Sequence, residues 1–195
     1  ANRPAVEERL ERLARSLGAH VANSAAGAPQ FIRHPETQEL LALRWKQERP
    51  QLPRVLLNGH LDTVYGPESP FQTCAYSPDR RTINGPGVTD MKGGLVILFA
   101  ALEAFLDSEL SERLSWEVLL TCDEETGSFK SRELLEAGAR SNDLGIVFES
   151  SLPDGSLIRN RMGTGLVVAE SKGQAAHSGR DFADGRNAIV ALSRF

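Results

Sequence analysis

Cysteine, excess positive charge and long apolar runs are all scarce in this sequence, and each absence removes a class of protein. Only two of the 195 residues are cysteines, Cys74 and Cys122, and their spacing suits neither a disulfide framework nor a cysteine metal site. The formal net charge of -4 gives no general attraction to nucleic-acid phosphates. We therefore expect no nucleic-acid partner. No apolar run is long enough to span a bilayer, so we expect no membrane partner either. A reducing, cytoplasmic setting is the default expectation.

The composition is that of an ordinary globular protein, with 41% hydrophobic and 25% charged residues, and the length suits one domain or one domain plus part of another. Helical apolar spacing from Val6 to Leu17 predicts an amphipathic N-terminal helix, which lacks the apolar core of a signal peptide. The sequence does not begin with methionine, so an upstream segment could have been removed.

Strand and helix patterns alternate along the middle of the chain. "PQFIRHPETQELLALRWK" predicts a pair of strands around "HPET". "RVLLNGHLD" and "LSWEVLLTCDEE" are typical of buried strands, and "DLGIVFES" predicts a third strand. "DMKGGLVILFAALEAFLDSEL" predicts a long helix, and "FKSRELLEAGA" a shorter one that ends at its glycine. This alternation favours an α/β fold, a mostly parallel sheet flanked by helices, with its site at the carboxyl ends of the strands.

Polar residues collect where the predicted strands end, in "NGHLD", "TCDEE" and "VFES", and an aspartate precedes the long helix. Carboxylates gathered in one cleft repel each other, and a divalent cation removes that penalty. Histidine with carboxylates suits zinc, with cobalt or manganese as substitutes, and a second ion would need a bridging carboxylate. The residues concerned are His60, Asp62, Asp90, Glu124, Glu125 and Glu149.

Each of these residues also has a simpler interpretation when it is taken alone. His60 and Asp62 would be a solvated strand end, and Asp90 an acid that satisfies free N–H groups at a helix start. The acidic pair in "DEE" would be a charged loop. Only the combination favours metal ligation. The glycines of "NGPGVTDMKGG" fit neither a Walker loop nor a dinucleotide fingerprint, and tight packing explains them better.

Five motifs together resemble the dinuclear zinc peptidases of family M20, the group of glutamate carboxypeptidase, acetylornithine deacetylase and succinyl-diaminopimelate desuccinylase. The motifs are "NGHLDTV", "NGPGVTDMKGG", "DEETGS", "FES" and "GQAAHSG…GRNAI", in order from about Val55 to Ile189. "DEETGSFKSRELL" and "RMGTGLVV" favour the glutamate carboxypeptidase branch. The resemblance implies a zinc-exopeptidase-like catalytic domain over residues 1–159 and the start of an α+β dimerisation domain over residues 160–195.

The resemblance also implies a set of metal ligands for two zinc ions. His60 and Glu149 would bind one ion, Glu125 would bind the other, and Asp90 would bridge the two. Asp62 would orient the imidazole of His60 by holding its second nitrogen. The same resemblance implies a cis peptide bond after Asp90.

Two further residues acquire catalytic roles from the resemblance. Glu124 would be the general base that takes a proton from water and passes it to the departing amine of a peptide or N-acyl amino acid. His177, in the dimerisation domain, would reach the active site of the neighbouring subunit of a homodimer and help to polarise the scissile carbonyl.

By this resemblance the chain is the N-terminal half of a longer hydrolase, because the family's last metal-binding histidine lies near the C-terminus. The chain alone is therefore expected to be an impaired fragment. "DGRNAIVALSRF" predicts a helix that runs to the end of the sequence, after an edge strand in "GTGLVVAESKGQAAHSG". The alternative is a non-catalytic fragment or pseudoenzyme that keeps the fold for binding or assembly. The intact Glu124 argues against that alternative, since a binding module has no use for a general base.

Overall fold

The computed structural model describes residues 29–163 and 165–195, which form two compact units that join between Ser151 and Leu152. The predicted N-terminal helix lies outside the described residues. Within them, no helix is both long and apolar enough to cross a bilayer. The domain limits inferred from the sequence, with a boundary after Arg159, and the cytoplasmic setting stay predictions.

The first unit is built on a mixed five-stranded sheet with the order β1-β2-β6-β3-β7. Its strands are β1 Gln30–Arg33, β2 Leu40–Gln47, β3 Arg54–His60, β6 Ser115–Thr121 and β7 Leu144–Val147, and a separate two-stranded ladder joins β4 Ala75–Tyr76 to β5 Ile83–Asn84. β1 and β2 form the predicted antiparallel pair, and β2 also pairs antiparallel with β6. β3 runs parallel to β6 and to β7. The predicted α/β fold is confirmed, and the parallel pairings found among the described residues join the three strands that lead into the acidic motifs.

All seven residues of β6 are buried, as expected of a central strand that is covered on both faces. The long helix is α1, Gly93–Leu106, and its buried residues Leu95, Leu98, Phe99 and Leu102 repeat at helical spacing. They pack on one face of the sheet, where the rings of Trp45 and Phe99 meet edge to face at 5.7 Å. The hydrophobic core therefore lies between α1 and the sheet.

The second helix, α2, spans Arg132–Ser141, and the prediction that it ends at Gly138 is wrong. Gly138 lies inside the helix and is buried against the sheet. A Cβ built there would already lie 3.5 Å from side-chain atoms of both Leu56 and Leu119. This is an ordinary van der Waals distance, so Gly138 lies in the packed face of the helix and does not terminate it.

The second unit contains only short elements among its described residues. The predicted edge strand is wrong, since 165–173 form no strand and a single antiparallel bridge joins Gln174 to Arg186. An alternating pattern forms a strand only when a neighbouring strand accepts its hydrogen bonds, and the described residues of the unit provide no such strand beside 165–173. A short helix, α3, spans Ala188–Leu192, so the helical pattern ends before the last residue. The Asn187 side chain begins it by accepting hydrogen bonds from two helix N–H groups, at 2.9 and 3.0 Å.

Candidate metal centre

The parallel strands of the sheet bring three of the acidic motifs to one edge. In the register of β3 with its neighbours, His60 lies opposite Thr121 of β6 and Asn58 lies opposite Val147 of β7. All three strands therefore end at nearly the same level, and the residues that follow each of them are neighbours in space. The edge collects His60 and Asp62 from β3, Glu124 and Glu125 from β6, and Glu149 from β7.

His60 is the centre of this arrangement, and its side chain is only 1% exposed. The Nδ1 atom lies 3.0 Å from the backbone oxygen of Asp62 and 3.3 Å from its carboxylate. The Nε2 atom faces three other carboxylates, with contacts of 3.0 Å to Asp90, 3.4 Å to Glu149 and 3.9 Å to Glu124. One nitrogen is thus held by the protein backbone and Asp62, while the other opens onto a cluster of acids.

Asp90 reaches this cluster through an irregular turn, Val88–Lys92, that precedes α1. The backbone angles of Asp90 and Met91 are not helical, and the bond between them is cis, which confirms the expectation drawn from the family resemblance. Met91 is fully buried, and its sulfur accepts a hydrogen bond from the N–H of His60 at 3.0 Å. The buried Met91 fixes the turn to β3, while the Asp90 side chain remains 63% exposed and faces Nε2.

Glu149 is brought to the same place by close contact between α1 and the end of β7. A Cβ at Gly94 would lie 1.7 Å from the carbonyl oxygen of Phe148, so only glycine allows this approach. On the other side of Glu149, the Ser150 hydroxyl donates to the carbonyl of Thr89 at 2.8 Å. The residue is therefore held between two contacts with the segment that carries Asp90.

Charge crowding shifts the pKa values of the cluster. Burial raises the pKa of Glu124 and of Glu149, and neighbouring carboxylates add to the rise. Burial would lower the pKa of His60, but its hydrogen bonds with Asp62 and Asp90 outweigh that effect and raise it to about 9. Burial would likewise raise the pKa of Asp62, and the contacts with His60 and a backbone N–H lower it instead. The pKa shifts thus favour the protonated forms of Glu124, Glu149 and His60 and the ionised form of Asp62.

Lys92 is a member of the site that the sequence interpretation missed. Its ammonium group donates to the carbonyl of Leu61 at 3.2 Å, between His60 and Asp62. Burial lowers the pKa of Lys92, and the nearby carboxylates oppose that shift. The sequence does contain an indication of this role, because Lys92 lies two positions after Asp90 and directly before a strongly apolar helix. A cation is unfavourable at the N-terminus of a helix unless acidic residues lie nearby.

The donor atoms of the cluster form two overlapping groups that could hold a cation. His60 combines with Asp90 and Glu125 in one group and with Glu124 and Glu149 in the other, and within each group the donor atoms lie within 4.8 Å of one another. All six residues predicted around the metal are thus close together. His177 lies in the second unit, where its Nδ1 accepts a hydrogen bond from the N–H of Gly179 at 3.1 Å, and its predicted role stays a prediction.

Comparison with known proteins identifies a family. The model of peptidase family M20/M25/M40 matches residues 56–184. The chain is 32% identical over 144 residues to carboxypeptidase G2 of Pseudomonas sp. (strain RS-16), covering 71% of this chain and 34% of that protein. It is 31% identical over 143 residues to succinyl-diaminopimelate desuccinylase of Pseudoalteromonas translucida (strain TAC 125), covering 68% of this chain and 38% of that protein. The chain therefore spans little more than a third of the length of these relatives.

Solved structures share the fold of the chain at low sequence identity. The M20 family metallo-carboxypeptidase Sso-CP2 from Sulfolobus solfataricus matches with a TM-score of 0.54 and 20% identity, covering 76% of this chain and 33% of that one. The di-peptidase Dug1p from Saccharomyces cerevisiae matches with a TM-score of 0.53 and 20% identity, covering 73% of this chain and 34% of that one. Both likenesses agree with the mixed sheet flanked by helices.

Proposed function

The chain belongs to peptidase family M20/M25/M40, and from that premise we propose that it carries the metal-binding part of a hydrolase that cleaves amide bonds. The proposed substrates are peptides or N-acyl amino acids, as the names of the carboxypeptidase and desuccinylase relatives suggest. The observation that carries the proposal is the meeting of one buried imidazole with the carboxylates of three strand ends and the Asp90 turn. Because the chain covers only part of its relatives, the proposal concerns the complete natural protein.

The donor set fits a divalent cation. In a tetrahedral zinc site with bonds of about 2.0–2.1 Å, two ligand atoms lie about 3.3 Å apart. The Nε2 atom of His60 lies 3.0 Å from the Asp90 carboxylate and 3.4 Å from the Glu149 carboxylate, which agrees with that spacing. Zinc suits this mixture of imidazole and carboxylates, and cobalt or manganese would be accepted by the same donors.

Two ions would share the site. His60, Asp90 and Glu149 would hold the first, and Glu125 with Asp90 would hold the second. Asp90 lies 3.0 Å from Nε2 of His60 and is grouped with Glu125 within 4.8 Å, and this position between a proposed ligand of each ion supports Asp90 as the bridging residue. An ion held at either position would supply Lewis acidity, which would polarise a carbonyl and lower the pKa of water.

Glu124 is the proposed general base. Its carboxylate lies 3.9 Å from Nε2, beyond hydrogen-bond distance and farther than those of Asp90 and Glu149. Burial raises its pKa, and a higher pKa improves the exchange of a proton near neutral pH. Glu124 would take a proton from water and deliver it to the departing amine, while Asp62 holds the ring of His60 so that Nε2 keeps its direction.

His177 is the proposed donor to the substrate carbonyl, supplied across a homodimer of the complete protein. Since its Nδ1 accepts a hydrogen bond from Gly179, the neutral ring carries its proton on Nε2. That proton could be donated to a carbonyl oxygen. This role depends on the second unit and on a partner chain, and it is independent of the metal ligands.

The proposal is tested by metal analysis and amidase assays on the complete natural protein, using peptides with C-terminal glutamate and N-succinyl or N-acetyl amino acids. We expect bound divalent metal and hydrolysis of one of these classes. Glu124→Gln should keep the metal and lower kcat by roughly 10²–10⁴-fold, the usual contribution of a general base. Glu103→Gln, on the exposed face of α1, is the matched control and should retain full activity. A protein that binds metal but hydrolyses none of these substrates would instead be the non-catalytic alternative.

A further inference from the structure

We propose that Asp123 is a positioning residue, which sets the direction of both Glu124 and Glu125 without touching substrate. This inference rests on the proposed function only in giving those two glutamates their roles as general base and metal ligand. Asp123 lies directly before them and is 8% exposed, although it carries a carboxylate. A buried carboxylate is costly unless hydrogen bonds satisfy it, so its partners indicate what it does.

The carboxylate of Asp123 reaches across the loop to the start of α2. One of its oxygens accepts hydrogen bonds from the backbone N–H groups of Lys130, at 2.8 Å, and Ser131, at 3.2 Å. These two residues immediately precede Arg132, the first residue of α2, and the positive end of the helix dipole favours an anion nearby. Asp123 thus joins the end of β6 to the start of α2.

The backbone carbonyl of Asp123 closes the other part of the same loop. It accepts from the N–H of Ser128 at 2.8 Å, from the N–H of Thr126 at 3.3 Å and from the Thr126 hydroxyl at 3.1 Å. These hydrogen bonds hold the short helical turn Glu124–Thr126 close to the carbonyl of Asp123. Gly127, at φ 95°, then reverses the chain in a conformation that favours glycine.

The carboxylate and the backbone carbonyl of Asp123 together hold the turn, and the turn sets the directions of Glu124 and Glu125. Glu125 leaves the turn so that its N–H donates to Asp62 at 3.0 Å, and Glu124 leaves it toward Nε2 of His60. Without the carboxylate, the N–H groups of Lys130 and Ser131 would lose their hydrogen bonds to the strand end, and the turn could shift. A shift of about 1 Å at a catalytic group can lower the rate about 10²-fold.

A second anchor of the same loop provides a matched control. The Lys130 ammonium group pairs with the Glu39 carboxylate at 2.7 Å, and the two side chains are 48% and 24% exposed. An ion pair so open to water contributes little to stability. Lys130→Ala removes this pair but leaves the Lys130 N–H that donates to Asp123.

The test compares Asp123→Ala, Asp123→Asn and Lys130→Ala in the complete natural protein. In the metal-free form, amide hydrogen exchange over residues 124–131 should accelerate in Asp123→Ala, less so in Asp123→Asn, and not in Lys130→Ala. In the metal-loaded form, Asp123→Ala should lower kcat by roughly 10–100-fold with KM nearly unchanged. Asp123→Asn should recover part of that loss because its amide oxygen still accepts hydrogen bonds.

Unchanged exchange in Asp123→Ala, or faster exchange with an unchanged kcat, would overturn the inference. The absorption spectrum of the Co²⁺ form separates this result from failure of the proposed function. If the unmodified protein shows no amidase activity, a spectrum altered by Asp123→Ala and not by Lys130→Ala still supports positioning of Glu125, and an unaltered spectrum contradicts it. If Asp123→Ala does not fold, the hydrogen exchange, kcat and Co²⁺ spectrum of Asp123→Asn test the inference in its place.

Discussion

The Asp62 carboxylate accepts a hydrogen bond from the backbone N–H of Glu125 at 3.0 Å, and the Glu125 side chain accepts one in return, at 3.1 Å, from the backbone N–H of Val64, two residues after Asp62. The turn after β3 and the turn after β6 are therefore fixed against each other by the chain itself. Such support holds side chains in place for an incoming ligand.

Asp62→Asn should weaken metal binding while the fold is kept. The substitution replaces the carboxylate that faces Nδ1 of His60, at 3.3 Å, with a neutral amide. Loss of such a partner typically lowers metal affinity by about 10–100-fold. Titration calorimetry with Zn²⁺ would measure the change, with Asp107→Asn, at the exposed end of α1, as the control. Unaltered affinity in Asp62→Asn would show that the backbone contact alone orients the ring.

Metal affinity should rise with pH up to about pH 9. The carboxylates around His60 raise its pKa to about 9 in the metal-free protein, so the ring is protonated at neutral pH. A metal ion binds only the neutral imidazole, and one proton must leave when it binds. Below the pKa of His60 the apparent affinity for Co²⁺ should therefore increase by up to about tenfold per pH unit, and level off above it. Competition titrations from pH 6.5 to 10 would show this, and a flat profile would contradict a raised pKa.

Gly94→Ala should destabilise the protein although alanine favours helices. The new Cβ would meet the carbonyl oxygen of Phe148 at 1.7 Å, and backbone atoms must move to relieve it. We expect a loss of at least about 2 kcal/mol in the free energy of unfolding, against a gain of about 1 kcal/mol from helix propensity alone. Gly145→Ala in β7, where no atom lies within 4 Å of the new Cβ, should change stability by less than about 0.5 kcal/mol. Urea denaturation of both variants would decide, and equal effects would exclude the close contact.

Met91→Ala should cost more stability than Met162→Ala. Met91 is fully buried under His60, whereas Met162 is 94% exposed. Removing a buried methionine side chain costs about 2–5 kcal/mol, and removing an exposed one costs little. Met91→Leu keeps the volume and should recover most of the loss, although it removes the sulfur that accepts from the N–H of His60. Thermal unfolding of the three variants tests the ranking.

The sequence predicted best the strands whose apolar residues form a short continuous run. The runs that end at His60, Thr121 and Val147 became β3, β6 and β7, because such runs bounded by turn residues are typical of strands. β6 is buried throughout, whereas the residues of β7 are exposed. Two predictions failed where packing decides. Gly138 was interpreted as a helix end but lies within α2, and the alternating pattern over 165–173 formed no strand among the described residues.

By itself, the sequence determined the family, the α/β fold and the six residues that gather at one edge, because strand ends and their polar residues follow from chain order and apolar pattern. Only the tertiary structure decided which atoms meet. The register of parallel strands and the turn at Asp90 bring groups far apart in the chain to Nε2 of His60, with Asp90 at 3.0 Å and Glu149 at 3.4 Å. Asp123 and Lys92 also became visible only there, because hydrogen bonds to backbone atoms leave no pattern in the sequence.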